Sequence, residues 1–238
     1  SMCASTLVLL FYIAKIIVHP SAVKAEYSNT VPASLYAGIT IVTIILCSYY
    51  KVWFPTACKW IFITAVCVHA VHILIFLCRN VFKGVNLDTF VPSWFVTFNG
   101  IMVSLVAGPD MLPSAMAKAV LYWGLFIYTV TIPFMVWRLI TREVKPGMLH
   151  TQAIVLAPCS LCLVSYLNIV KEPVRAVVMI LYVCVILSLL FILVKLPRFF
   201  SVPFAPGFAG LTFPMAIGVV ASTKAGSYLA GIGNEVLA

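Results

Sequence analysis

Phe213 has unusually small neighbours. At helical spacing from it stand Ala209, Gly210, Ala216 and Ile217, and Pro214 follows directly. A bulky ring flanked by small side chains projects from its helix instead of packing among equals. The surrounding stretch, 203–223, reads P-F-A-P-G-F-A-G-L-T-F-P-M-A-I-G-V-V-A-S-T. It is long and apolar enough to cross a bilayer, yet Gly, Ala and Pro fill much of it, where a helix that only had to sit in lipid would carry Leu, Ile and Val. Such a helix suits the wall of a hole, with Phe213 as a candidate obstruction. The same ring also fits an ordinary membrane core, since the chain has 16 phenylalanines.

The other side chains able to do chemistry are mostly uncharged. Thr97, Asn99, Ser104, Ser160 and Thr212 place hydroxyl or amide groups within apolar stretches, and Pro158 and Pro214 fall inside such stretches as well. A proline there breaks the backbone ladder, and the half-helix that begins at it presents N–H groups and the positive end of a dipole to an anion. A plain kink satisfied by neighbouring helices explains the same residues. The acids Glu26, Asp88, Asp110, Glu143, Glu172 and Glu235 all lie at or beyond the ends of apolar stretches. Ion-coupled transport usually needs a carboxylate inside the membrane, and a cation pore needs an acidic ring, so this pattern disfavours both. Basic mouths with an uncharged polar middle fit the passage of anions better, because such a middle does not hold an anion too tightly to let it go.

His69 and His72 share a helix face but lack companions for a metal site, so hydrogen bonding between helices is the expectation. Lys15, near the end of its stretch, is expected to snorkel to the interface. The eight cysteines, most of them inside apolar stretches, read as small apolar fillers. No Ser/His/Asp arrangement, H-E-x-x-H run or phosphate-binding loop is present, so neither an enzyme nor a cofactor is expected.

These residues are carried by membrane spans. Of 238 residues 63% are hydrophobic and 9% charged, which defines an all-α integral membrane protein. The formal charge of +9 resides mostly in short connections, where it sets topology and attracts anions or lipid headgroups; nothing suggests nucleic acid. Eight spans are predicted, at about 3–18, 32–50, 57–78, 91–108, 115–140, 149–168, 174–195 and 203–223, with 224–238 as the start of another. Odd-numbered spans are bulky; even-numbered ones carry small residues and prolines. The alternation predicts helical hairpins in a ring, small-residue members inside, around a central pore lined by Pro32, Ala37, Gly38, Thr97, Asn99, Gly100, Ser104, Pro158, Ser160, Gly210, Thr212 and Pro214. Small residues also simply permit close helix contact. Nine of the fifteen basic residues fall on the side of the connections at 19–31, 79–90, 138–148 and 195–202, which is predicted to be cytoplasmic.

The run Thr212-Phe213-Pro214-Met215, followed by Val220-Ala221-Ser222-Thr223-Lys224, resembles the pore helix of the plant slow-type anion channels and their bacterial relatives, the tellurite-resistance TehA and C4-dicarboxylate transporter family. Lys15 to Tyr27 resembles that family's exit from its second helix. Phe98-Asn99-Gly100 and Leu149-His150 through Ala157-Pro158 resemble its fifth and seventh helices. The resemblance implies ten helices as five hairpins around one pore per subunit, inner helices alternating with outer ones, and a homotrimer in the plasma membrane. The eight spans would be helices two to nine, so that residues 1–238 form a single channel domain lacking the first helix and most of the last. Phe213 then matches the family's occluding phenylalanine. The implied activity is passive passage of small inorganic anions such as chloride or nitrate. The alternatives are a carrier for C4-dicarboxylates, sulfite or tellurite-related oxyanions, and a non-conducting membrane scaffold.

Overall fold

A computed structural model describes residues 2–201 and 206–231, and the described residues are helical with no strand. Three bulky spans form long continuous helices: α5 (Pro55–Asn80), α8 (Ser114–Thr141) and α10 (Arg175–Phe199). These lie within a few residues of their predicted bounds. They turn large apolar side chains outward, among them Trp60 and Leu74 on α5, Phe126 and Phe134 on α8, and Ile180 and Leu187 on α10. Such a surface would aggregate in water and suits lipid.

The first bulky span differs. Helix α1 (Met2–Val18) bends by 101° into the short α2 (Pro20–Tyr27). Pro20 cannot accept a helical residue before it, and His19 accordingly leaves the helix at φ −123°, ψ 55°. Lys15, expected to snorkel, instead braces this elbow: its ammonium donates to both carboxylate oxygens of Glu26 at 2.7 and 2.8 Å. Tyr36 donates to the same carboxylate at 2.7 Å.

The small-residue spans are all interrupted. Span 32–50 becomes α3 (Thr30–Leu35) and α4 (Ala37–Tyr50), with a break at Tyr36. The predicted single span 91–108 is corrected most: it is α6 (Trp94–Phe98), a 3-10 turn (Gly100–Met102) and α7 (Val103–Ala107). Span 149–168 begins as a ten-residue 3-10 segment, Pro146–Val155, before α9 (Leu156–Ile169). The last begins as a 3-10 segment, Pro206–Leu211, and continues as α11 (Thr212–Gly231). Residues 203–205 of that predicted span and 232–238 of the predicted next one lie outside the described residues. Long 3-10 runs have poorer hydrogen-bond geometry and persist only where surroundings hold them.

Helices α4, α7, α9 and α11 pack in that order, each on the next. Behind them α5 covers α4, α8 covers α9 and the Gly100–Met102 turn, and α10 covers α9 and α11. The row of broken segments is therefore the inner layer. Gly100 shows why small residues belong there: a Cβ would lie 2.7 Å from Ile41 Cδ1 and 3.1 Å from His69 Cε1. Gly124 of α8 is pressed against Met102 in the same way.

Candidate functional site

Two partly open cavities lie among the inner segments and have lining residues in common. The first, of about 400 Å³, is bounded by Gly38 and Ile41 of α4, Gly100 at the break after α6, Thr151 and Ile154 of the 3-10 segment, and Gly210. The second, of about 420 Å³, is bounded by Ser48 and Tyr49 of α4, Val103 and Val106 of α7, and Ile217 of α11. Ile45, Leu161 and Phe213 belong to the walls of both. Phe213 is the bulkiest of the three and remains 37% exposed although α11 packs closely on α9. No charged residue lines either cavity among the described residues.

The expected lining residues separate into two groups. Gly38, Gly100, Gly210 and Pro214 line the first cavity with Phe213. Thr97, Asn99, Ser104, Pro158 and Ser160 are buried in helix contacts, and Ala37 is buried at the start of α4. Pro32 lies in the half-buried first turn of α3, and exposed Thr212 caps Ala209 O at 2.7 Å. None of these eight lines either cavity.

The hydroxyls and amides turned away from the cavities hold the breaks together. Ser104 and Ser160 donate back to the carbonyls of Ile101 and Leu156, both at 2.7 Å. Asn99 donates its amide to Gly124 O at 3.0 Å, pinning the break after α6 to α8, while its buried Oδ1 finds no partner among the described residues. Thr97 is the centre of a relay. Tyr27 of α2 donates to His72 Nδ1 (2.8 Å), His72 Nε2 reaches Thr97 Oγ1 (3.3 Å), and Thr97 donates to Ser34 O (3.0 Å). His69 Nε2 donates to Thr97 O (2.9 Å), which leaves its Nδ1 facing Thr40 Oγ1 (2.7 Å). Both histidines thus serve as hydrogen-bond links between spans.

The two prolines do not break helices in the expected way. Pro158 and Pro214 are each the third residue of their α-helix, as Pro32 is of α3. The first turn tolerates proline because its N–H groups have no partner within the helix. The change of backbone lies upstream, in the 3-10 segments, and at α9 the first N–H is already engaged: Leu156 donates to Ala153 O and Ile154 O. The 3-10 segments support each other, with His150 stacked on Phe208 at 4.0 Å between ring centroids and bonded to Phe199 O at 3.1 Å.

Two features escaped the residue patterns. Cys159 and Cys162 form a C-x-x-C run, yet they are free thiols used in packing, with Cys159 Sγ 3.6 Å from Ser188 Oγ and Cys162 Sγ 3.7 Å from Gly124 O. Lys224 hydrogen-bonds Asn168 Oδ1, and Asn168 donates to Leu105 O at 2.8 Å. A cation is thereby fixed across α11, α9 and α7, at the end of the inner layer beyond the second cavity. Only the contact with Asn168, fifty-six residues away, distinguishes Lys224 from any other loop-side lysine. Elsewhere, Lys51 pairs with Asp110 at 2.8 Å, and that hydrogen bond holds the Asp110 carboxyl below its ordinary value.

Residues 1–237 match the family model SLAC1, described as voltage-dependent anion channel. The match covers nearly the whole chain, and the chain belongs to this family of slow-type anion channels and TehA-like proteins. No curated protein matches it.

Proposed function

Starting from that membership, we propose that the two cavities are successive chambers of one anion path and that Phe213 is its gate. The observation that carries this reading is the shared lining: Phe213, Ile45 and Leu161 line both uncharged cavities among the broken inner segments. The path takes small inorganic anions such as chloride or nitrate. Selection rests on the cost of dehydration and a generally positive environment, not on a tight site. Lys224 raises the local anion concentration at one mouth. Within the first chamber the glycines Gly38, Gly100 and Gly210 leave room for a hydrated ion, and Pro214 fixes the start of the helix that carries the gate.

Opening requires the ring to leave the shared lining. Three of its four neighbours at helical spacing, Ala209, Gly210 and Ala216, are small, so rotation about χ1 is opposed chiefly by Ile217 and by Ile45 and Leu161 of the same lining. Passive conduction is favoured over ion-coupled carriage of dicarboxylates, sulfite or tellurite-related oxyanions, because no carboxylate among the described residues lines the chambers. A homotrimer in the plasma membrane, with one path per subunit, completes the reading.

The test is current across a bilayer under an anion gradient. Phe213→Ala is expected to conduct constitutively, with a reversal potential at the anion's equilibrium value. Currents that stayed at the closed wild-type level would remove the gate assignment. Saturable exchange without net current would favour the carrier, and no flux at all in either protein would favour a scaffold.

A further inference from the structure

A third cavity, of about 570 Å³, opens between the outer helices α8 and α10. Ile132, Val136 and Ile140 form one wall, Leu187 and Phe191 the other, and Lys195 is the only charged residue of the lining. Tyr128 and Ser188 mark its deep end. From Tyr128 to Ile140 is about 18 Å of helix, close to the depth of one leaflet, about 15 Å of the hydrocarbon core. The crevice therefore runs from mid-membrane to the side where α8 and α10 end.

The groups around it decide what fits. Ser188 Oγ already accepts from Cys159 Sγ, so at the deep end the polar groups are a serine engaged within the protein and the Tyr128 hydroxyl, with no charge. Lys195 has no carboxylate within ion-pair distance among the described residues; its ammonium lies 5.9 Å from the Phe191 ring centroid. On the same side Glu143 pairs with Arg198 at 4.0 Å, and Arg138 donates to the carbonyls of Leu87, Arg142 and Glu143.

We propose that the crevice holds one acyl chain of an anionic phospholipid, with the headgroup phosphate on Lys195. A chain fills the narrow apolar slot, and the unpaired ammonium at the rim selects a headgroup of net negative charge. The inference rests on the chain spanning a membrane and not on the anion path, so either can fail without the other.

The full chain, reconstituted with equal parts phosphatidylglycerol and phosphatidylcholine and released into mild detergent, is examined by native mass spectrometry for retained lipid. Wild type is expected to retain phosphatidylglycerol in preference. Lys195→Gln should reduce that preference about fivefold, the effect of one charge near the surface, without changing the total retained. Leu187→Trp, an exposed position whose indole would occupy the slot, should remove the retained lipid of both kinds. Equal retention of the two lipids by wild type, or an undiminished preference in Lys195→Gln, overturns the proposal. So does Leu187→Trp if it leaves lipid retention unchanged. In that case, loss of an oligomer would identify the crevice as a contact between copies.

Discussion

The segment Pro146–Ile169 and its neighbour α10 have nearly equal length, 24 and 25 residues, and opposite construction. The more apolar of the two is the less buried: over its most apolar 18 residues α10 has a mean hydropathy of 3.3 with 28% of them buried, and the inner segment 1.6 with 78% buried. In a bilayer the solvent is itself hydrocarbon, so large apolar side chains gain little by leaving it, and small ones gain by close packing. Backbone regularity divides the same way. Helix α10 stays continuous through Pro197, as α8 does through Pro133, whereas the inner segment runs ten residues as 3-10 helix before it becomes α9. Irregular backbone at membrane depth is tolerated where protein surrounds it or where it lines a cavity.

Paired substitutions test that contrast. The largest effect is expected for Leu163→Ala on α9, where a fully buried side chain is lost: about 2–5 kcal/mol in detergent unfolding. The matching Leu190→Ala, on the lipid face of α10, should cost no more than about 0.5 kcal/mol. Equal losses at the two positions would break the comparison. Next, Gly100→Ala should destabilise by about 1–3 kcal/mol, because its Cβ collides with Ile41 and His69 at the inner break.

Two further pairs sharpen it in function. Phe213→Ala should raise resting current by on the order of tenfold, the removal of a barrier of about 1.4 kcal/mol. Phe126→Ala, an exposed ring on outer α8, should leave current unchanged. Lys224→Gln should lower conductance by roughly fivefold at most, with the difference shrinking at high salt, as for one screened charge.

The smallest expected effect is titration of the Lys51–Asp110 pair. The Asp110 carboxyl is held below the ordinary 3.8 by the Lys51 hydrogen bond, so its contribution to stability is present above that value and disappears as pH falls through the lowered one. Because Asp110 is largely exposed, the loss should be only about 0.2–1 kcal/mol, and absent in Lys51→Gln, when unfolding is followed between pH 5 and pH 2.

Much of the architecture was legible in the chain. Hydropathy located the long outer helices to within a few residues, and the alternation of bulky and small spans identified the inner layer. Gly38, Gly100, Gly210 and Pro214 were drawn from composition and share one cavity wall with Phe213. The polar residues were less legible. Thr97 and Asn99 sit in small-residue stretches just as Gly100 does, and nothing local reveals that Thr97 faces His72 and Ser34, or that Asn99 reaches Gly124. Hydroxyls at helical spacing can serve a cavity or a neighbouring carbonyl equally well.

What the sequence determined by itself is the solvent: few charges, acids confined to the ends, and apolar stretches long enough to cross a bilayer. That reading rests on composition, which is local information, whereas burial does not follow composition span by span: the small-residue segment Phe208–Gly231 is 28% buried over its most apolar stretch, as α10 is. The tertiary structure decided where the inner helices change to 3-10 backbone, and which hydroxyls are used up in holding those changes. It also decided that Phe213 lines two cavities. Those outcomes depend on contacts between residues 25 to 63 positions apart, such as Asn99 with Gly124 and Thr97 with Ser34, and no periodicity within a span encodes them.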